Sequence, residues 1–158
     1  RDASNTGESG WGGQSGPAFV RWSDVKSMGD TKGRVHWTST KRHGRCIEKL
    51  RRCYNNDPSH LLDISRGSII FESLTDLTTC LREITADDNV VVERVKNRLS
   101  PDYAVGETAG YRDLCINLRH VSTQAKALGA ELHLCEVQLI LLEFALFKTS
   151  EGHYRCNP

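Results

Sequence analysis

Leu62-Asp63-Ile64-Ser65-Arg66-Gly67-Ser68-Ile69-Ile70-Phe71 is an apolar, partly β-branched run that opens on an acid. Its length and content predict a buried β-strand over residues 61–71, with Asp63 at its mouth. A second such run, Cys135-Glu136-Val137-Gln138-Leu139, again holds one acid among apolar residues. An ionised carboxylate in that setting is costly unless it is paired, so Glu136 asks for a cation or a metal ion. Strands alternate their faces, so two carboxylates far apart in sequence can be aimed at one shared metal, Mg²⁺ being the natural fit for oxygen ligands. Asp63 alone reads first as a polar cap at a strand edge; Glu136 shifts that balance, since a magnesium ion or an upstream cation would offset its cost. Gln138, two residues on, shares the face of Glu136 and could orient it.

Outward from the first strand, Ser73 with Asp76 three residues later reads as the N-terminus of a helix over 74–84. Further strands are expected at 90–95, 112–118 and 131–139, and a last helix at 140–148. In the third strand Leu114, Ile116 and Leu118 take one face, and Tyr111, Asp113, Cys115, Asn117 and Arg119 the other. Residues 100–109 and 122–129 read as connections. The order β-α-β-β-β-α predicts an α+β domain, a mixed sheet of four or five strands with flanking helices, open on one face for a ligand.

Upstream, residues 32–52 hold Lys32, Arg34, Lys41, Arg42, Arg45, Lys49, Arg51 and Arg52 against one acid, Glu48. Cys46, Ile47, Leu50, Cys53 and Tyr54 recur at helical spacing over 42–54. Lys41, Arg45 and Lys49 then share a helix face suited to a polyphosphate, although a solvated face is the ordinary reading of such a run. Asn55-Asn56-Asp57-Pro58 ends the helix. Val35 and Trp37 alternate with polar neighbours, which suggests a short edge strand over 30–40. Tyr111 follows Gly110 on a polar face, where a ring can be a core-edge tyrosine or a platform for a base. Lys96, Asn97 and Arg98 are candidates for phosphate or base edges.

At 158 residues the chain suits one domain. Its net charge of +1 gives no general attraction to nucleic acid, which makes that the least favoured partner. Residues 1–24 are Gly/Ser-rich at their start and read as a flexible linker or processed N-terminus, with Phe19, Val20 and Trp22 as a surface anchor. The six cysteines form no CxxC pair, so reduced core thiols in an intracellular protein are expected, with Cys115 and Cys135 as small buried hydrophobes. No run is long enough to span a membrane: the most apolar, 139–147, is short and carries Glu143.

Together these motifs resemble the synthetase domain of RelA/SpoT-type alarmone enzymes, within the polymerase-β-like nucleotidyltransferase group, over residues 25–158 and most clearly 38–156. Lys41 and Lys49 resemble the lysines of the ATP-binding segment, Asp63 the metal-binding aspartate, and Gly110-Tyr111 the glycine-tyrosine that stacks the acceptor guanine. Glu136-Val137-Gln138 resembles the strand of the second catalytic carboxylate, and Gly152-His153 the closing turn. The resemblance implies pyrophosphate transfer from ATP to the 3′-hydroxyl of a guanine nucleotide. Asp63 and Glu136 would hold Mg²⁺ and carry catalysis, while Lys41, Arg45, Lys49, Arg66, Tyr111 and Gln138 would bind nucleotide. The chain departs from the family pattern at Ser39 and Ser68, where arginines are usual, and at Arg112-Asp113-Leu114-Cys115 and Leu139-Ile140-Leu141. Two functions follow: a divergent Mg²⁺-dependent transferase binding a nucleoside triphosphate and a nucleotide acceptor, or a non-catalytic module of this fold binding protein partners in a larger assembly.

Overall fold

The computed structural model describes residues 20–27, 38–108 and 110–147. The chain divides into two units, Arg1–His36 and Trp37–Pro158. In the first, a short helix α1 spans Trp22–Ser27, and Val20 and Trp22, expected to anchor on a surface, are exposed. Most of the edge strand expected over 30–40 lies outside the described residues, as do Gly152, His153 and Cys156; residues 38–42 have no regular structure.

The second unit is an α+β fold on a four-stranded sheet in the order β1-β4-β3-β2, with β1 Ser65–Phe71, β2 Val90–Asn97, β3 Leu114–His120 and β4 Leu134–Leu141. β1 runs parallel to β4, and the other pairs are antiparallel. The helices are α2 His43–Cys53, α3 Leu74–Ala86, α4 Thr123–Ala127 and α5 Leu142–Phe147. The expected order of strands and helices holds. α4 is an addition within the expected 122–129 connection: Ser122 caps it by accepting from the Ala125 N–H, a signal that reading passed over.

Alternation along the strands separates the two faces of the sheet. Leu114, Ile116 and Leu118 of β3 and Leu139 of β4 join Leu77 of α3 in one buried cluster. α3 holds this position because Ser73 accepts the Asp76 N–H at its N-terminus and Leu77, 2 % exposed, points into the cluster. Burying a leucine this fully stabilises by about 1.5–3 kcal/mol.

The opposite face is polar. Cross-strand register lines up Arg66, Glu136, Asn117 and Arg94 in one row, and Ser68, Gln138, Cys115 and Lys96 in the next. The β2 contribution depends on a bulge. Val92 pairs with Leu118 and Arg94 with Asn117, so Glu93 is the extra residue. Were Glu93 paired in regular alternation, Arg94 and Lys96 would fall in phase with Val92 and face the apolar cluster. Arg119 holds Glu93 there, its Nε donating to Oε1 at 2.7 Å.

Three boundaries differ from expectation. β1 starts at Ser65, not at residue 61, because Pro58–His60 forms a 3₁₀ turn and the Ile64 carbonyl accepts the Lys41 N–H at 2.9 Å. Asp63 therefore precedes its strand. β4 runs Leu134–Leu141, so α5 starts two residues later than the expected last helix. The residues before β3, including Asp113, are irregular: the Asp113 carbonyl accepts the Arg98 N–H, and Arg112 Nη1 donates to the Ser100 carbonyl at 2.7 Å.

Candidate functional site

A cavity of about 290 Å³ opens on the polar face of the sheet. Its lining joins Lys49 and Tyr54 from the α2 region, Asp63 from the β1 approach, Arg94, Lys96 and Arg98 from the β2 end, Cys115 and Asn117 from β3 and Glu136 from β4. Four cationic side chains thus meet two carboxylates, which suits an anionic ligand.

Asp63 is the organising residue, 5 % exposed. Its Oδ2 accepts from Lys41 Nζ at 2.5 Å and Lys49 Nζ at 2.9 Å, with Arg66 Nη1 at 3.8 Å. Burial by itself would raise the Asp63 pKa, but the Lys41 and Lys49 hydrogen bonds outweigh it and hold the carboxyl below its ordinary 3.8. Burial would likewise lower Lys49, yet hydrogen bonds to Asp63 and then Tyr54 hold it above its ordinary value. Asp63 Oδ1 is buried with no hydrogen-bond partner among the described residues.

Glu136 lies half-buried in mid-strand on β4, and has no ion-pair partner among the described residues. Gln138 Nε2 donates to its Oε1 at 2.9 Å, as the shared strand face leads one to expect. Ser68 Oγ in turn reaches Gln138 Oε1 at 3.4 Å. Asp63 and Glu136 thus line one cavity on one side of the sheet, although only Glu136 sits on a strand.

The remaining candidates divide. Lys41 and Lys49 both reach Asp63, though Lys41 precedes α2 and does not share a helix face with Lys49. Arg45, expected beside them, is exposed and turned to Glu48, its Nη1 2.5 Å from Oε2; it does not line the cavity. On helix α2, which starts at His43, Arg45 pairs with Glu48 three residues on. Arg66 stands at the rim, 3.8 Å from Asp63. Tyr111, expected as a base platform, is half-buried before β3 and outside the cavity lining. Gly110, at φ 87°, makes the turn that takes it there, a conformation favouring glycine. Burial, and after it the Asp113 carboxylate, push the Tyr111 phenol far above its ordinary value.

Sequence reasoning missed Arg94, Cys115, Asn117, Tyr54 and His60 as cavity residues. Alternation on β3 had put Cys115 and Asn117 on the polar face, so that signal was available. Cys115 is buried, as expected of a small hydrophobe, but on the cavity side of β3 beside Glu136. Burial, and then Glu136, push its pKa up to about 12. Cys135, half-buried, does pack against the apolar cluster, and all five described cysteines are free. Arg98, flagged as a phosphate candidate, also binds Asp113, its Nη1 2.5 Å from Oδ1, while Asn97 accepts the Leu99 N–H. Among the described residues no helix is long and apolar enough to cross a membrane.

No family model matches the sequence, and none of the curated proteins is similar to it. Solved structures are. Small alarmone synthetase 1 from Bacillus subtilis, bound to its product pppGpp, matches with a TM-score of 0.60 at 17 % identity, over 86 % of this chain and 70 % of that one. The same synthetase bound to AMPCPP matches with a TM-score of 0.51 at 18 % identity, over 84 % and 65 %. A GTP pyrophosphokinase family protein from Streptococcus pneumoniae matches with a TM-score of 0.55 at 14 % identity, over 85 % and 66 %. The chain therefore has the fold of the small alarmone synthetases, as the sequence motifs anticipate. At these identities the likeness is one of fold.

Proposed function

We propose that this domain transfers a pyrophosphoryl group from a nucleoside triphosphate to a hydroxyl of an acceptor nucleotide, with Mg²⁺ bound by Asp63 and Glu136. The observation that carries this reading is the convergence of Asp63, Lys49 and Glu136 on one cationic cavity, with Lys41 paired to Asp63. The similarity to synthetase structures bound to pppGpp and to AMPCPP supports it.

The residues fit a divalent cation. Asp63 Oδ1 has no hydrogen-bond partner and Glu136 makes no ion pair among the described residues, so these two carboxylates would supply the oxygen ligands. When bound, Mg²⁺ supplies charge neutralisation on the phosphate chain. The chain's own residues do the rest. Lys41 and Lys49 keep Asp63 ionised and leave the cluster with excess positive charge, since three cationic groups surround one carboxylate. Arg94, Lys96 and Arg98 extend that field along the cavity toward the phosphates. Gln138 fixes the Glu136 carboxylate, which takes the proton of the acceptor hydroxyl. That oxygen bonds to the β-phosphorus as the bond from the β-phosphorus to the α,β-bridging oxygen breaks, and the nucleoside monophosphate leaves. Such a transfer draws mainly on positioning and charge, which is what the cavity offers.

One observation favours the second reading, a non-catalytic module that binds protein partners: Tyr111 and Arg45 stand outside the cavity. Calorimetric titration with ATP and GTP, each with and without Mg²⁺, separates the two. A transferase binds both nucleotides, the triphosphate in a Mg²⁺-dependent way; absence of binding to either leaves the module.

A further inference from the structure

Tyr54 and His60 supply the only aromatic rings in the cavity lining among the described residues, and the transfer uses neither. A tight reversal of the chain brings them together. Asn55 and Asn56 take left-handed backbone angles, φ 48° and 63°, which asparagine tolerates better than most residues. The Asp57 N–H then donates to the Tyr54 carbonyl at 2.8 Å, and the Asp57 side chain accepts the Ser59 N–H to start the turn Pro58–His60. The His60 and Tyr54 ring centroids lie 5.6 Å apart, with the planes 31° from parallel.

Lys49 joins this pair to the charged cluster. Its Nζ is 2.9 Å from Asp63 Oδ2 and 5.2 Å from the Tyr54 centroid. Tyr54 is thus engaged by both Lys49 and His60. His60 is the open ring: its side chain is 65 % exposed and held at an edge, Nε2 lying 3.6 Å from Asp57 Oδ2. A ring held at its edge and packed against a second ring leaves a face for another aromatic group. Arg94, Lys96 and Arg98 make the rest of the lining cationic. The ligand that matches both parts carries an aromatic ring and phosphates in one molecule.

We infer that His60, with Tyr54 packed against it, is a stacking wall for the base of the nucleotide in this cavity. Stacking reads the face of a ring and not its hydrogen-bonding edge, so the wall accepts adenine and guanine alike. The inference rests on a nucleotide occupying the cavity, as in the reading above. It adds that the base lies beside the Lys49–Asp63 pair and not over Tyr111, which stands outside the lining.

Calorimetric titration with ATP, GTP and inorganic tripolyphosphate, each with Mg²⁺, tests it on the unaltered protein, His60→Ala and His60→Phe. His60→Ala should weaken ATP and GTP alike by about fivefold or more, the scale of one lost base stack. Tripolyphosphate has no ring, so its affinity should be the same in all three proteins. His60→Phe keeps a ring and should keep the nucleotide affinities. Three results each overturn the stacking wall and leave the transfer standing: nucleotide affinities unchanged in His60→Ala, a loss confined to one purine, or a loss in His60→Phe equal to that in His60→Ala. A loss in His60→Ala shared equally by tripolyphosphate also overturns it, and makes the two rings a brace for the chain reversal. No binding of ATP or GTP to the unaltered protein overturns both this inference and the transferase reading.

Discussion

Lys41 and Asp63 stand 2.5 Å apart, Nζ to Oδ2, in a pair whose side chains are only 9 % and 8 % exposed. Lys49 completes the pair on the same oxygen. A salt bridge this buried adds little net stability while intact, but breaking it strands a charge. Asp63→Ala should therefore cost about 3–5 kcal/mol by urea unfolding, because it leaves Lys41 buried and unpaired. Asp63→Asn should cost less, since the amide oxygen still accepts.

The pH dependence of that cost has a definite sign. The Asp63 pKa is held below 3.8 in the folded state, so its contribution is complete above 3.8 and is lost as pH falls through the folded value. Lys49 is raised above 10.5, so its share is present below 10.5 and is lost as pH rises through its folded value. The stability gap between the unaltered protein and Asp63→Asn should be flat between those limits and close on the acid side. A gap that widens toward pH 3 contradicts the assignment.

Part of the fold and of the cavity lining is legible in the sequence. Ser73 and Asp76 announced α3, and the alternation of Leu114, Ile116 and Leu118 fixed which face of β3 is apolar. Asp63, Glu136 and Gln138 were found as polar residues inside apolar runs. What the sequence hid came from contacts between distant segments. The bulge at Glu93 depends on Arg119, and only that bulge turns Arg94 and Lys96 to the cavity. The start of β1 depends on the Lys41 N–H bonding the Ile64 carbonyl. Arg45 looked equivalent to the lysines in the basic run, but Glu48, three residues on, claims it locally.

Cys115 offers a chemical probe of the cavity floor. With its pKa pushed to about 12, the thiolate fraction at pH 8 is on the order of one in ten thousand. Iodoacetamide at pH 8 should label exposed Cys53 in the native protein and reach Cys115 only after unfolding, as peptide mass spectrometry would read. Native labelling of Cys115 at the rate of Cys53 would place the thiol in open solvent.

Arg98 and Asp113 anchor the turn before β3. Asp113 is fully buried, and Arg98 Nη1 lies 2.5 Å from its Oδ1. Arg98→Met should cost about 3–5 kcal/mol by leaving that carboxylate unpaired, whereas Arg98→Met with Asp113→Leu should recover part of it. Additive losses in a double-mutant cycle would mean the pair is not coupled.

The α3 anchor separates local from tertiary stabilisation. Ser73→Ala removes the cap that accepts the Asp76 N–H and should cost about 1 kcal/mol. Leu77→Ala opens the centre of the apolar cluster and should cost about 2–5 kcal/mol. Denaturant midpoints that rank the two in the reverse order would show that α3 is held by its terminus and not by its buried face.

The most direct test follows label from γ-³²P-ATP to GTP in the presence of Mg²⁺, comparing the unaltered protein with Glu136→Gln. Gln keeps the shape of the side chain and its contact with Gln138, and it removes a half-buried charge that makes no ion pair among the described residues. Thermal midpoint should hold or rise, while transfer falls by about 10²–10⁴-fold, the range of a lost general base. No transfer by the unaltered protein, or transfer undiminished in Glu136→Gln, would contradict a pyrophosphoryl transfer run by this cavity.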